Sequence, residues 1–455
     1  MDKSKELGQK PIGQLLAMYS LPAVVAMLVN AIYNVVDRIF IGQYAGEAAL
    51  AGLTVVFPVM MIIFAFASLI GAGGASLLAI RLGENDQSGA NHVFSNTLSF
   101  GFIVTGITLL IVSMNLQYLL SIFGATPEVL GYAMDYMRII LAGFIFQMVS
   151  FTLNSSVRTE GKPLLSMVAM LASALANILL DYVFIVKFNM GVEGAAYATI
   201  IGQFAGLSIL LSFYLRGQSQ LRVTIKDLLP DVKVVTQIVA IGFSTFASTI
   251  GTSVAMSFIN RGLGLYGGVA AITSMGAINS LFTFFIMPIM GVTQGMQPII
   301  GYNHGAGKRA RVILTMKYGM GIGVVFSTTV FAILQLFPET FIGLFLESGS
   351  STIDVAVNGL RIFIAMLPLL SINLMGVAYF QSTAQGRKSM VLGMLRQFVF
   401  LLPLVLILPK YFGINGVWYA TPIADALAIA ITALVLYKDA RVSGDADQLE
   451  TSMAC

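Results

Sequence analysis

Three carboxylates stand inside apolar segments of this sequence: Asp37, Asp181 and Asp425. An acidic side chain within a membrane span is costly to bury and commonly marks a path for ions or substrates. Asn177 precedes Asp181 by one helical turn and shares its helix face, and Thr199 lies in the next apolar segment. Carboxylate, amide and hydroxyl oxygens suit two tasks, which are sharing a proton and surrounding a hard cation.

The elements that carry these residues are long apolar helices. The 455-residue chain is 57% hydrophobic and 10% charged, with a mean hydropathy of +0.87, whereas soluble domains carry about 25% charged residues. A helix needs about 20 apolar residues to cross a bilayer, so we predict an all-α polytopic membrane protein. Its twelve spans cover 14–42, 48–80, 92–114, 130–156, 164–186, 194–215, 236–260, 269–300, 312–336, 355–382, 390–409 and 416–437.

Several polar residues lie at the same predicted depth in the membrane. Asp37 and Asp181 each lie five positions before the end of their span, and Thr199 lies five after the start of its own. At 1.5 Å per residue, all three lie about 8 Å below the same boundary. We predict that Asp37, Asn177, Asp181 and Thr199 form one ion-coupling site. The coupling ion is a proton or sodium, and no further metal or organic cofactor is expected.

Arg38 follows Asp37 directly, but it is not expected to neutralise that carboxylate. Adjacent helical residues do not face each other. A long basic side chain near a helix end reaches the interface or a neighbouring helix instead.

Other polar residues within the spans are weaker candidates. Asp425 aligns with Gln203 in the repeat described below, and the residues alone leave a functional and a structural role equally open. Pro22 removes one backbone hydrogen bond in the first span and is the predicted hinge. The residues predicted to line a substrate site or a polar site in the second half are Asn34, Asn154, Gln203 and Asp425.

Lysines and arginines concentrate in alternate loops. One side of the membrane, here called the basic side, holds nearly all of them and both termini. The opposite side holds only Lys187, Arg261 and Lys410 outside the spans. The positive-inside rule therefore predicts that both termini are cytoplasmic.

The two halves of the chain resemble each other at a shift of 222 residues. The shift aligns IGQYAG with LGLYGG and GVEGAAYAT with GINGVWYAT. Six spans in each half make the repeat parallel, with a pseudo-two-fold axis along the membrane normal. We predict a cytoplasmic segment 1–13, a six-helix lobe 14–216, a connector 217–235, a second six-helix lobe 236–440 and a polar tail 441–455. The shift places Ile259 opposite Asp37, so only the first lobe carries the acid.

Several function classes are disfavoured by what the sequence contains. Cys455 is the only cysteine, which excludes an internal disulfide framework and a cysteine metal site. His92 and His304 have no second ligand at metal spacing. No phosphate-binding loop or hydrolase motif occurs, so an enzyme is not expected. The net charge of +4 follows the membrane loops, which argues against a nucleic-acid partner.

The motifs VDRIFIGQYAG, NILLDYVF and GVEGAAYAT, in duplicated six-helix halves, resemble the multidrug and toxic compound extrusion (MATE) family. Within it, the chain is most similar to the bacterial MepA-like branch, with kinship to the DinF-like branch. The resemblance implies efflux of bulky, often cationic organic compounds, exchanged for protons or sodium by alternating access between two lobes. It also implies that Asp37, Asn177, Asp181 and Thr199 match the family's cation site, and Pro22 its bending point. We expect a multi-pass monomer in the bacterial inner membrane.

One alternative is a flippase for lipid-linked saccharides in the same wider superfamily, which would need a strongly cationic central cavity. The intramembrane arginines are limited to Arg38, Arg138, Arg361 and Arg396. Arg138 and Arg361 occupy near-equivalent repeat positions, which favours an architectural role. A passive channel is a further alternative, and an uncoupler would separate it from a coupled exporter.

Overall fold

The computed structural model describes residues 3–223, 229–346 and 351–453, which are almost entirely helical and contain no strand. A 3-10 turn, Lys3–Gly8, precedes the first helix, and π-helical turns at Ile41–Ala45, Tyr182–Lys187 and Leu395–Leu401 interrupt or extend others. The helices are α1 (Ile12–Phe40), α2 (Glu47–Gly83), α3 (Gln87–Met114), α4 (Leu116–Ile122), α5 (Pro127–Thr159), α6 (Pro163–Asp181), α7 (Gly191–Leu215), α8 (Val232–Gly305), α9 (Arg309–Leu336), α10 (Pro338–Ile342), α11 (Ser351–Phe363), α12 (Leu367–Ser382), α13 (Gly386–Met394), α14 (Leu402–Ile407), α15 (Pro409–Phe412) and α16 (Ile414–Met453).

The helices of the described residues agree with twelve membrane spans. Ten helical segments are long and apolar enough to cross a bilayer, and α11 and α12, bent by 51° at their junction, form an eleventh. The 74-residue α8 contains two helices, because Gly268 within it has φ 65° and ψ −159°. Only glycine adopts this backbone readily. Counted as two spans, α8 completes the predicted number.

The buried apolar side chains form one shared core and two separate ones. On the basic side, a single core joins both lobes and includes Leu78, Phe94, Tyr302 and Tyr379. On the opposite side, one core belongs to the first lobe and another to the second. The two lobes are therefore joined on the basic side and separately packed on the opposite side.

Two glycines make equivalent close contacts between the lobes. A Cβ added at Gly83 would lie 2.0 Å from the carbonyl oxygen of Tyr302, and one added at Gly305 would lie 2.0 Å from that of Ile80. A shift of 222 residues converts the first contact into the second. The interface of α2 with α8 thus follows the pseudo-two-fold axis that the repeat predicts.

The N-terminal segment closes the joined side. Leu7 is fully buried, and its carbonyl oxygen accepts hydrogen bonds from Asn303 Nδ2 at 2.9 Å and Arg311 Nη2 at 3.1 Å. Lys308 Nζ donates to the carbonyl oxygen of Gly8 at 2.9 Å. These donors satisfy carbonyls that a short helical turn leaves without partners.

The connector between the lobes is docked onto α3. Gln87 Nε2 donates to the carbonyl oxygen of Gln220 at 2.9 Å, and the Asp231 N–H donates to Asn96 Oδ1 at 2.6 Å. His92 Nε2 lies 3.2 Å from Asp231 Oδ2. His92 therefore contributes to attaching the connector.

Glu160, which directly follows α5, holds the start of this connector. The carboxyl group is buried, and its Oε2 accepts from the Ser219 hydroxyl at 2.7 Å and the Gln220 N–H at 2.8 Å. Its Oε1 has no donor. Burial raises the pKa of this carboxyl group above its usual value.

The raised pKa of Glu160 predicts a pH effect on stability. The folded protein binds this proton more tightly than the unfolded chain, so stability falls as pH rises through the interval between the two pKa values. Glu160→Gln should melt at a higher temperature than the wild type at pH 8. Its melting temperature should also fall less between pH 5 and pH 8 than that of the wild type. Thermal unfolding in detergent measures this, with Glu128→Gln, in the exposed first turn of α5, as the control. An unchanged pH dependence would refute the assignment.

Candidate functional site

The structure brings together the four residues predicted for the ion site. Asp37 lies near the end of α1, and its carboxyl group is within hydrogen-bonding reach of that of Asp181, the last residue of α6. Asn177 Nδ2 donates to Thr199 Oγ1 of α7 at 3.4 Å. Asp181 is fully buried and Asn177 nearly so.

The helices that carry Asp37 and Asp181 become irregular close to these residues. The π-helical turn Tyr182–Lys187 begins immediately after Asp181, and the turn Ile41–Ala45 begins four residues after Asp37. A π-helical turn shifts the side chains of one helical turn relative to the rest of the helix and is frequent at functional sites. The sequence did not indicate these turns, since their residues are ordinary apolar ones.

Several oxygen atoms of the site have no hydrogen-bond donor. They are Asp37 Oδ1, both carboxylate oxygens of Asp181 and Asn177 Oδ1. Buried carboxylates without donors are costly unless a proton or a cation compensates their charge. The set therefore fits either a shared proton or a hard cation held by oxygens. Among the described residues, no cluster of histidine, cysteine and acidic residues suited to a transition metal occurs.

Two tyrosines complete the site and were not predicted. Tyr136 of α5 is buried and lies near Thr199 and Asp37. Tyr33 lies one turn before Asp37 on α1. The spacing of Tyr33 from Asp37 was a usable signal, because residues four apart share a helix face. Tyr136 carried no such signal, since it comes from another helix.

Arg38 contacts an aromatic ring of the neighbouring helix α2. Its side chain is exposed, and its guanidinium lies 5.9 Å from the ring centroid of Phe57 on α2. No ion pair between Arg38 and Asp37 is present in the described part of the chain. This placement agrees with the expectation that Arg38 reaches a neighbouring helix.

Two of the weaker candidates lie next to the ion site. Asn34 is exposed on α1 and donates to the carbonyl oxygen of Asn30 at 2.7 Å. Gln203 is half-buried on α7, one turn after Thr199. Both extend the polar surface of the first lobe.

Asn154, predicted for a substrate site or a polar site in the second half, forms hydrogen bonds within the first lobe. Its Oδ1 accepts from Arg158 Nη1 and from Ser166 Oγ, the latter at 2.9 Å, and its Nδ2 donates to the carbonyl oxygen of Ser166 at 3.2 Å. These bonds tie the end of α5 to the start of α6. The hydrogen-bonding groups of the Asn154 side chain are therefore occupied in this helix–helix contact.

Asp425 is paired. Arg396 Nε donates to Asp425 Oδ1 at 2.6 Å, and the two side chains are 17% and 6% exposed. The pair neutralises both charges within the membrane. The structure thus favours the structural role for Asp425 and leaves the acidic pair in the first lobe as the uncompensated one.

Comparison with known proteins agrees with the whole architecture. The family model MatE matches residues 22–183 and 234–407, one segment in each lobe. Multidrug export protein MepA of Staphylococcus aureus (strain N315) is 28% identical over 430 residues, covering 94% of each chain. MepA of Staphylococcus saprophyticus is 26% identical over 424 residues, covering 92% of each.

Solved structures are similar over almost their full length. The MATE multidrug transporter DinF-BH, solved in complex with a bound compound, has a TM-score of 0.89 at 38% identity, covering 95% of this chain and 97% of that one. An outward-facing multidrug resistance MATE transporter of the MOP superfamily has a TM-score of 0.90 at 26% identity, covering 96% and 98%.

Proposed function

Because this chain belongs to the MATE family of multidrug exporters, we propose that it exports bulky, often cationic organic compounds in exchange for protons or sodium ions. Members of this family are multi-pass membrane transporters and not enzymes. We further propose that the protein acts as a monomer in the bacterial inner membrane, with its basic side in the cytoplasm.

One observation carries the proposal: the adjacent carboxyl groups of Asp37 and Asp181, of which Asp37 Oδ1 and both oxygens of Asp181 lack donors. A bound proton or sodium ion would lower the negative charge of this pair. The same charge attracts a cationic compound, so ion and compound compete for one site. Competition of this kind is what an exchanger requires.

The packing of the lobes supports alternating access. With the basic side in the cytoplasm, lobes that share a core there and pack separately on the opposite side form an outward-facing state. Ion binding in this state would neutralise the pair, and α1, which runs continuously through Pro22, would bend there and displace the compound.

The energy available is sufficient. Shifting two states from 1:99 to 99:1 takes about 5.5 kcal/mol of differential binding. Each ion moved down the membrane potential supplies about 2.3 kcal/mol per 100 mV, to which its concentration gradient adds. One or two ions per cycle therefore satisfy the requirement.

The ion and the cargo can be tested together in proteoliposomes. Ethidium, a bulky aromatic cation that can be followed by its fluorescence, is a suitable first compound. We expect uphill ethidium transport when either a pH gradient at fixed sodium or a sodium gradient at fixed pH is imposed, and the effective gradient identifies the ion. If ethidium only equilibrates, at the same rate with and without gradients, the protein is a passive channel and the proposal fails.

The flippase alternative is less well supported. It needs a cationic cavity, whereas the charges of the candidate ion site are acidic and Arg396 is neutralised by Asp425.

A further inference from the structure

Arg138 is an unpaired charge within a membrane span. It lies eleven residues into the 33-residue α5, or about 16 Å from its start at 1.5 Å per residue. The helix is about 20 Å longer than a bilayer core of about 30 Å, so a centred α5 places Arg138 about 6 Å inside the hydrocarbon on the opposite side. Its side chain is exposed. No hydrogen bond, ion pair or ring contact of its guanidinium occurs among the described residues.

A groove surrounds this arginine, with a volume of about 610 Å³ between α3, α4 and α5. Its polar side chains are Ser113, Gln117 and Arg138, and Leu109 and Leu141 belong to its apolar wall. On α3, which runs outward, Leu109 lies one turn deeper than Ser113. On α5, which runs inward, Leu141 lies deeper than Arg138. The polar groups thus lie outward of Leu109 and Leu141, and Met114, Leu116 and Met134 lie beside them in the lining.

This order matches a phospholipid, with its headgroup outward and its acyl chain toward the bilayer centre. A guanidinium donates two parallel hydrogen bonds to phosphate oxygens, and hydroxyl and amide groups add further donors. A phosphate would also supply the partner that an arginine at this depth lacks. The side chain of Arg138 leans toward the start of α5, where the headgroups lie.

Asp135 adds a preference among headgroups. It is exposed, lies three residues nearer the outer end of α5 than Arg138 and shares its helix face. The two side chains form no ion pair with each other in the described structure. A carboxylate one turn outward of the phosphate position suits an ammonium group attached to that phosphate.

We propose that this groove binds one phospholipid with an ammonium headgroup, of the phosphatidylethanolamine type, from the leaflet on the opposite side. Arg138, Ser113 and Gln117 hold the phosphate, Asp135 holds the ammonium, and the acyl chain lies along Leu109 and Leu141. The site is distinct from the ion site, to which α1, α6 and α7 contribute the acids and their amide and hydroxyl neighbours.

The second lobe provides a natural control. The 222-residue shift places Glu339 opposite Gln117 and Val357 opposite Asp135. Arg361, one position past the equivalent of Arg138, is exposed. The second lobe therefore has a carboxylate where the first lobe has the amide that binds phosphate, and it lacks the outer acid. Both differences disfavour binding of the same lipid in the second lobe.

Native mass spectrometry of the detergent-purified full-length protein, titrated with phosphatidylethanolamine or phosphatidylglycerol, tests the site. The wild type should retain one phosphatidylethanolamine, and Arg138→Gln should weaken its binding about tenfold or more, because the variant loses charge-assisted hydrogen bonds to the phosphate. Gln117→Glu, which imports the residue of the second lobe, should act in the same direction. Arg361→Gln should bind as the wild type does.

The headgroup preference and the lipid source have their own readouts. Asp135→Asn should lose the preference for phosphatidylethanolamine over phosphatidylglycerol while still retaining a lipid. Phosphatidylethanolamine should raise the melting temperature of the wild type more than that of Arg138→Gln, and inorganic phosphate should not. Equal binding by the wild type and Arg138→Gln, an equal loss in Arg361→Gln, a wild-type preference for phosphatidylglycerol or the same stabilisation by inorganic phosphate would each overturn the proposal.

Discussion

Replacing one acid of the pair, as Asp37→Asn or Asp181→Asn, is expected to abolish gradient-driven export while the protein still folds. Asparagine has nearly the shape of a protonated aspartate, but it neither releases a proton nor carries a charge for sodium. Each coupled ion is worth about 2.3 kcal/mol per 100 mV, which sustains roughly a 50-fold substrate gradient. The variants should lose that accumulation entirely.

Proteoliposome transport of ethidium under an imposed gradient measures this effect. Asp354→Asn, at an exposed position of α11, is the matched control and should transport as the wild type does. Equal melting temperatures would show that the loss is one of coupling and not of folding. Continued uphill export by both variants would mean that the ion site lies elsewhere.

Replacing a glycine at the joined side with a larger residue should separate the two lobes there. In Gly305→Val, the new side chain meets the carbonyl oxygen of Ile80, and in Gly83→Val it meets that of Tyr302. Backbone atoms cannot move aside as a flexible side chain can, so the two lobes must separate. Overpacking typically costs about 1–3 kcal/mol, which lowers the population of the observed state relative to the opposite one by roughly 5- to 150-fold.

Thiol labelling measures this shift directly. The only native cysteine, Cys455, is replaced by serine, and Ser76→Cys, a buried position on α2, is the reporter. A membrane-impermeant maleimide applied to the basic side should label the Gly305→Val variant at least several-fold faster than the parent. Gly276→Val is the control, because a Cβ at this glycine of α8 meets open space. Unchanged labelling in Gly305→Val would contradict the assignment of the joined side as the closed gate.

The sequence by itself determined the membrane class, the twelve spans and the repeat, and it predicted the residues of the ion site. These follow from local properties: hydropathy over about 20 residues, the 3.6-residue periodicity and a fixed shift between the halves. Depth counted along straight helices was enough to group Asp37 with Asp181, because rise per residue is nearly constant.

Only the tertiary structure decided which side chains of distant helices meet. Tyr136 joins the ion site from α5, Asp425 is neutralised by Arg396, and Asn154 is used up in a contact with α6. The packing also joins the lobes on the basic side and leaves Arg138 in an open groove. Such contacts depend on helix rotation and on the π-helical turn after Asp181, which neither composition nor spacing records. The physical reason is that hydropathy measures how deep a residue lies in the membrane, whereas a binding site depends on the direction in which each side chain faces.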